Sequence, residues 1–228
     1  MFFWYDPTYW LLIPGLILAL YAQIRVSSAF HKWQQEMSCT GLTGAQIARQ
    51  ILDANGAGDV RIEPVAGSLT DHYDPRDGVL RLSSEVYGSR SIAALGVAAH
   101  EAVHAIQDAQ AYAPLRIRSM LVPLANIGSN AAMPLFLLGL IFSWQPLVKI
   151  GILCFSLAVL FYLVTLPVEF NASRRAVGVL SSGYLPENEV RGVKAVLSAA
   201  ALTYVAAALQ ALLQLLRLIL IAGRRDRD

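Results

Sequence analysis

The chain has 228 residues, of which 56% are hydrophobic and 15% charged, and its formal net charge is +2. This composition is too apolar for an ordinary soluble domain, whose apolar share is about 45–50%, so membrane insertion is the first inference. The basic residues cluster beside apolar segments without interleaved aromatic residues, which argues against nucleic acid as a partner.

Residues 1–26 predict a membrane anchor at the N-terminus. Residues 9–24 form a short apolar run with Trp4 and Tyr5 before it and Arg25 beyond it. Aromatic residues at one end and a basic residue at the other are typical of a transmembrane helix. No removable signal peptide is expected, because no Lys or Arg precedes the run and no small-residue cleavage pattern follows it.

Residues 27–119 form the only sizeable polar block and predict a small α+β domain. Thr43 followed by Gln46 has capping-box spacing, which predicts a helix that stops at Asn55-Gly56. Most of the charged residues of the chain lie in this block, so we expect it to lie in water.

Two β-like pieces follow that helix, at residues 60–65 and 79–82, and turn-rich residues separate them. They predict a hairpin or a strand pair. Ser89 or Ser91 then caps a second helix that runs to about residue 109 or 111. The apolar stripe of this second helix consists of Ile92, Leu95, Ala99, Val103 and Ile106.

The second half of the chain is dominated by apolar segments. Two long apolar runs in residues 120–168 predict a tight hairpin of spanning helices. Residues 169–194 are polar, and residues 195–228 form an apolar helix with a basic tail that either spans or lies partly in the interface. The expected fold is therefore mainly α, with three to four transmembrane helices.

Residues 100–104 read His-Glu-Ala-Val-His. On a helix, His100 and His104 lie on the same face and can present two imidazoles to one ion, a spacing typical of zinc sites. Glu101 is placed to activate water as a general base. We expect both histidines on the helix face opposite the apolar stripe rather than in a core. The sequence thus predicts one Zn²⁺ ion and a catalytic role for Glu101.

A third metal ligand must be a carboxylate, because no histidine follows His104. Asp108 lies one turn further along the same helix, but it is offset and short. Glu169 stands at the end of the third apolar run, where a carboxylate is costly unless it is paired or binds a metal. Two predicted spans lie between His104 and Glu169. The chain therefore crosses the membrane twice, and Glu169 lies on the same side as His104. The alternative for Glu169 is an interfacial salt bridge with Arg174 or Arg175.

Five segments of the sequence carry a family resemblance. They are residues 3–7, 43–45, 69–76, 98–107 and 169–173. In these segments the chain resembles the YugP-like neutral zinc membrane peptidases of bacteria and, more distantly, HtpX and the CAAX prenyl proteases.

This resemblance implies a zincin-like domain of the gluzincin type, with Glu169 as the downstream zinc ligand. In the more distant group an aspartate usually stands four residues after that glutamate and orients a zinc-bound histidine. Here Ser173 occupies the position and would form a weaker hydrogen bond.

The same resemblance implies that residues 69–73 form an edge strand along which an extended substrate pairs. His72 would then line the cleft, unless it is only a turn and strand residue. Tyr184, Arg174 and Arg175 are candidate donors to the oxyanion that forms during peptide hydrolysis. For each of the three, a solvated role or a contact with lipid headgroups is the alternative.

The distribution of basic residues predicts that the polar block faces the cytoplasm at the plasma membrane. Basic residues flank the predicted spans on this side at Arg25, Lys32, Arg116, Arg118, Arg174, Arg175, Arg191 and Lys194. The basic tail at residues 224–227 conflicts with this orientation if the last segment spans once. Cys39 and Cys154 are expected to be free thiols, which favours a reducing compartment.

The expected function is a membrane-bound zinc peptidase that cuts membrane or membrane-proximal proteins. Its expected partners are the lipid bilayer and protein or peptide substrates, and a further membrane-protein partner stays open. An intramembrane protease would need an apolar catalytic helix and a later Asp motif within a span, and the sequence has neither. A metal-binding membrane scaffold without activity is the remaining alternative, but a structural zinc site normally has four protein ligands and no need of Glu101.

Overall fold

The structure is a computed structural model that describes residues 7–225. A 3₁₀ turn at Pro7–Leu12 comes first. The helices and strands that follow are α1 (Ile13–Gln34), α2 (Gly44–Ala54), β1 (Arg61–Val65), β2 (His72–Asp74), β3 (Val79–Ser83), α3 (Ser84–Tyr87), α4 (Ile92–Ala109), α5 (Ala113–Ile141), α6 (Gln145–Ser181) and α7 (Glu187–Arg225). The predicted anchors Trp4 and Tyr5 and the tail residues Asp226 and Arg227 lie outside the described residues.

Four helical stretches are long and apolar enough to cross a membrane. They are Pro7–Gln34, Ala113–Ile141, Gln145–Ser181 and Glu187–Arg224. The prediction of a mainly helical chain is confirmed, and the predicted three to four spans agree with the number of helices that have the length and composition to cross a membrane. For the last apolar segment, the sequence left open whether it spans the membrane or lies in the interface. This segment lies in the fourth candidate span, Glu187–Arg224.

The long helices continue past the points where the composition changes. The sequence divided the chain at 168/169 and at 194/195, but α6 runs through the first point to Ser181 and α7 begins before the second. A change from apolar to polar residues alters what surrounds a helix without breaking its hydrogen bonds. The break between α6 and α7 comes instead at a turn that contains Gly183 and Pro186, residue types that do interrupt helices.

The chain forms two compact units. The first unit comprises Met1–Ala22, Ile117–Pro167 and Thr203–Asp228, and the second comprises Gln23–Arg116 and Val168–Leu202. Each unit is therefore assembled from separate stretches of the chain, and α6 contributes to both.

A buried arginine of the first unit is held by internal contacts. Arg217 donates from Nε to Thr8 Oγ1 at 3.2 Å. Its guanidinium carbon also lies 3.8 Å from the ring centroid of Tyr9, a cation–π contact. This polar residue of the last helix thus packs against the N-terminal segment of the chain.

A three-stranded sheet lies in the second unit, in the order β1-β3-β2. The two strands predicted from sequence do pair, and because β1 and β3 run parallel, the strand pair is confirmed and the alternative of a hairpin between them is wrong. The hairpin is formed by β2 and β3, which are antiparallel. The chain returns through β2 before it enters β3, and this extra pass lets β3 lie parallel to β1.

The two helix starts predicted from caps are confirmed. Thr43 and Gln46 form both hydrogen bonds of the capping box at the start of α2. Ser91 caps α4, and its Oγ accepts from the backbone N–H of Ala94 at 3.2 Å. The Ser91 cap fixes where α4, the helix that carries the His-Glu-Ala-Val-His segment, begins.

Helix α4 is buried on nearly all sides, with 14 of its 18 residues in the core. The expectation that the histidines face away from the core is therefore wrong. Small residues such as Ala98, Ala102 and Ala105 let other elements approach α4 closely, and Ala172 and Ala176 of α6 belong to the same core. The histidine face is covered because α6 packs against it.

Candidate metal centre

Three side-chain atoms converge between α4 and α6. His100 Nε2 lies 3.2 Å from His104 Nε2 and 3.3 Å from Glu169 Oε2, and His104 Nε2 lies 3.5 Å from the same oxygen. All three residues are buried, with relative exposures of 9%, 8% and 2%. Three lone-pair atoms held this closely in a core need a shared partner, which can be a proton or a metal ion.

The spacing of these atoms fits the donors of one tetrahedral ion. Zinc binds His nitrogen and carboxylate oxygen at about 2.0–2.2 Å, so the donors of a tetrahedral site lie about 3.3–3.5 Å apart. Of the three observed distances, 3.3 and 3.5 Å lie in this range and 3.2 Å lies just below it. His100, His104 and Glu169 could therefore hold a zinc ion and leave a fourth position open.

Glu101 lies beside this triangle without being part of it. Its carboxylate and the nitrogens of the two histidines all lie within 4.8 Å of one another, so Glu101 belongs to the immediate surroundings of the same metal position. Burial raises the pKa of the Glu101 carboxyl, and the positive charges that His104 and His100 can carry partly offset the rise. A raised pKa brings a carboxylate closer to neutral pH, where a general base works best.

Burial alone would lower the pKa of His104. The hydrogen bond with Glu169 and the charge of Glu101 outweigh burial and raise that pKa on balance. A metal ion would have to displace this proton, because only a neutral imidazole is a ligand.

Gln107 is a residue of the site that the sequence did not identify. It is completely buried. Its Oε1 lies 3.0 Å from Nδ1 of His104, and its Nε2 donates to the carbonyl oxygen of Val168 at 3.1 Å and to Asn171 Oδ1 at 2.9 Å. The available signal was its position three residues after His104, which places it next to that histidine on the surface of the helix. A buried polar side chain needs hydrogen-bond partners. Two partners of Gln107 belong to the site: His104 is a candidate ligand, and Val168 directly precedes the candidate ligand Glu169.

Ser173 takes the corresponding place next to His100. Its Oγ lies 3.3 Å from Nδ1 of His100, on the opposite side of the ring from Glu169. This is the position four residues after Glu169 at which the resemblance to the more distant group implied an aspartate. A hydroxyl forms a weaker hydrogen bond than a carboxylate at the same place.

Asp108, the other candidate ligand, is engaged elsewhere. Its Oδ2 accepts from the hydroxyl of Tyr73 at 2.9 Å. Burial and this hydrogen bond raise the pKa of Tyr73 well above its usual range, so the phenol stays a donor. The bond ties β2 to the end of α4 and leaves Glu169 as the carboxylate in the triangle.

The remaining residues predicted from sequence are not joined to the triangle by a hydrogen bond among the described residues. His72 is exposed on β2, with Nδ1 2.7 Å from the carbonyl oxygen of Thr70. Arg174 is exposed and Tyr184 is half-buried. Arg175 donates to Gln110 Oε1 at 2.9 Å rather than to Glu169.

Strand β2 presents an unpaired edge beside the site. It is the last strand of the sheet, and the sheet described here pairs it on one side only. Tyr73 holds it against α4 through Asp108. An extended peptide could add to such an edge by main-chain hydrogen bonds.

Comparisons with known proteins agree with this geometry. A family model described as "Putative neutral zinc metallopeptidase" matches residues 8–223. The chain is also 50% identical over 212 residues to "Putative membrane protease YugP" of Bacillus subtilis (strain 168), an alignment that covers 92% of this chain and 94% of the relative. No solved structure matches the chain. The two matches include the candidate metal centre and most of the four apolar helices.

Proposed function

Because the chain belongs to the neutral zinc metallopeptidase family, we propose that it is a membrane-bound zinc peptidase that hydrolyses membrane or membrane-proximal proteins. The observation that carries this proposal is the triangle of His100, His104 and Glu169, whose edges match one tetrahedral zinc site. The relative named a membrane protease and the four candidate spans support the location in a membrane.

In this proposal each residue of the site has one task. His100, His104 and Glu169 would hold one Zn²⁺ ion, which when bound polarises the scissile carbonyl and makes water more acidic. Glu101 takes a proton from the attacking water and delivers it to the nitrogen of the leaving amine. Ser173 restrains His100 from behind at 3.3 Å.

The substrate would lie as an extended strand along the free edge of β2. Main-chain hydrogen bonds to residues in His72–Asp74 would supply affinity without strong sequence preference. His72 is exposed on this strand and could contact substrate side chains. Tyr184 and Arg174 stay the candidate donors to the oxyanion.

A catalytic centre accounts for the site better than a structural one. Among the described residues, three side-chain atoms form the triangle, and a further carboxylate, that of Glu101, lies close to its two histidines. A structural zinc site is normally closed by four protein ligands. An open position with an adjacent base is the arrangement that hydrolysis requires.

Metal removal tests the proposal. We expect 1,10-phenanthroline to abolish hydrolysis of an unfolded protein substrate by the purified, detergent-solubilised chain, and one equivalent of zinc to restore it. The isomer 1,7-phenanthroline, which cannot chelate, serves as the control. Elemental analysis should find one zinc per chain, and hydrolysis that survives complete zinc removal would contradict the proposal.

We also propose that the second unit faces the cytoplasm at the plasma membrane. Two candidate spans, α5 and α6, are connected by the short turn at residues 142–144, so they can cross as a hairpin. The positive-inside rule supports this orientation, because the basic residues Arg25, Lys32 and Arg116 belong to the second unit.

The cysteines of the chain allow this orientation to be measured. Cys39 is exposed in the second unit, whereas Cys154 lies within α6 and is half-buried. A membrane-impermeant maleimide should modify Cys39 in inside-out vesicles and spare it in intact cells. The hydrogen bond with Glu189 raises the pKa of the Cys39 thiol and slows the reaction, so solubilised protein provides the reference for complete labelling. Cys39→Ser is the control, and labelling in intact cells would reverse the orientation.

A further inference from the structure

The orientation of the Gln107 amide is fixed by its partners. Its nitrogen faces the carbonyl oxygen of Val168 at 3.1 Å and Asn171 Oδ1 at 2.9 Å. A main-chain carbonyl oxygen can only accept, so the NH₂ group must be the part that faces Val168. The amide oxygen is then left to face Nδ1 of His104 at 3.0 Å.

This orientation determines where His104 carries its proton. The amide oxygen of Gln107 can only accept, so Nδ1 of His104 must be the donor. In the neutral ring Nε2 then holds the free lone pair, and Nε2 is the atom that lies 3.2 Å from His100 Nε2 and 3.5 Å from Glu169 Oε2.

We propose that Gln107 is a positioning residue that holds His104 in the Nδ1–H tautomer, with the lone pair of Nε2 aimed at the metal position. This inference rests on the zinc site of the proposed function. Outer hydrogen-bond partners of metal-bound histidines fix both the tautomer and the ring orientation.

The same amide also sets the position of α6 relative to α4. Its NH₂ group binds the main chain at Val168, the residue directly before Glu169. One buried side chain therefore contacts a candidate ligand on α4 and the backbone next to a candidate ligand on α6. A shift between the helices large enough to break one of these hydrogen bonds would strain the other.

His100 lacks an equivalent constraint. Its Nδ1 faces the hydroxyl of Ser173 at 3.3 Å, and a hydroxyl can either donate or accept. Ser173 is therefore compatible with both tautomers of His100, whereas Gln107 permits only one tautomer of His104. We expect loss of Gln107 to weaken zinc binding more than loss of Ser173.

Zinc affinity and histidine NMR test the inference. Gln107→Met removes the acceptor, Gln107→Glu keeps an acceptor for Nδ1 but loses the donors, and Gln110→Met is the matched control one turn further along. Zinc affinity is measured by competition with a chelator. The signal of the His104 ring is followed in ¹⁵N-histidine spectra, which contain only four histidine side chains.

We expect Gln107→Met to weaken zinc binding about 10–100-fold and to abolish the slowly exchanging Nδ1–H signal of His104 in the zinc-loaded protein. In Gln107→Glu the signal should return with part of the affinity, and Gln110→Met should match the wild type.

The results for Gln107→Met, Gln107→Glu and the wild type distinguish a failure of the proposed role of Gln107 from a failure of the zinc site. Wild-type zinc affinity together with a protected His104 Nδ1–H signal in Gln107→Met would overturn the inference. If Gln107→Met does not fold, a folded Gln107→Glu that lacks the protected signal would overturn it as well. A wild-type chain that binds no zinc would instead overturn the proposed function, so the two failures are distinguishable.

Discussion

Replacement of Glu101 by alanine or glutamine is expected to leave zinc bound and to reduce peptide hydrolysis by about 10²–10⁴-fold, the usual contribution of a general base. In the proposed function the ligands are the triangle of His100, His104 and Glu169, so removal of Glu101 takes away no ligand. Its removal does take away the group that, in the proposed function, accepts the proton of the attacking water. Zinc content by elemental analysis and initial rates of hydrolysis measure the two effects separately.

Glu101→Gln is the sharper of these variants, because it keeps the size of the side chain and removes only its basicity. Glu63→Gln is the matched control, since Glu63 lies on β1 and pairs with Arg61. Hydrolysis at the wild-type rate in Glu101→Gln would refute the assignment of the base. Loss of zinc in Glu101→Gln would instead make Glu101 a ligand.

Replacement of Glu169 by alanine is expected to lower zinc affinity by more than the roughly 10–100-fold that loss of an outer partner costs. Glu169 supplies one corner of the triangle, and its carboxylate is the anionic member of the set. Without it, two neutral imidazoles would have to hold a divalent cation in a buried site. Chelator competition measures the affinity, and hydrolysis should fall with zinc occupancy.

The Glu187→Ala variant is the matched control for this experiment, because Glu187 is an exposed acid in the first turn of α7. Excess zinc distinguishes the two site variants. It should restore part of the activity in Glu169→Ala but none in Glu101→Ala. Wild-type zinc affinity in Glu169→Ala would mean that the third ligand is another residue.

The sequence could predict the part of this site that depends on helix spacing and on the number of membrane spans. His100, Glu101 and His104 lie within one turn of a helix, so their spacing alone determines that they can meet. Glu169 is 65 residues after His104, and its selection needed an argument about buried charge and the number of spans. The convergence of Glu169 with the histidines is seen only in the structure.

Sequence could not predict which residues would support the ligands. The role of Gln107 depends on the carbonyl of Val168 and on Asn171, both far along the chain. The Tyr73–Asp108 bond likewise joins a strand to a helix over a long stretch. Such hydrogen bonds follow from packing, which no local pattern encodes.

The helix ends and the sheet show the same limit. Composition marked the change of surroundings near residue 168, whereas α6 ends at Ser181. The strand segments were recognised from their residues, but their parallel pairing depends on the path through β2. Propensity selects the type of an element, and tertiary packing decides its extent and partners.

The division of the second unit into Gln23–Arg116 and Val168–Leu202 has a consequence for biosynthesis. A ribosome makes His100 and His104 first, then the apolar stretch Ile117–Pro167, and only afterwards Glu169. Until that stretch has been made and inserted into the bilayer, a nascent chain carries two of the three candidate zinc ligands. On the proposed function, a truncated or wrongly inserted chain would be an inert product, and proteolysis would begin only in a molecule whose membrane assembly is complete.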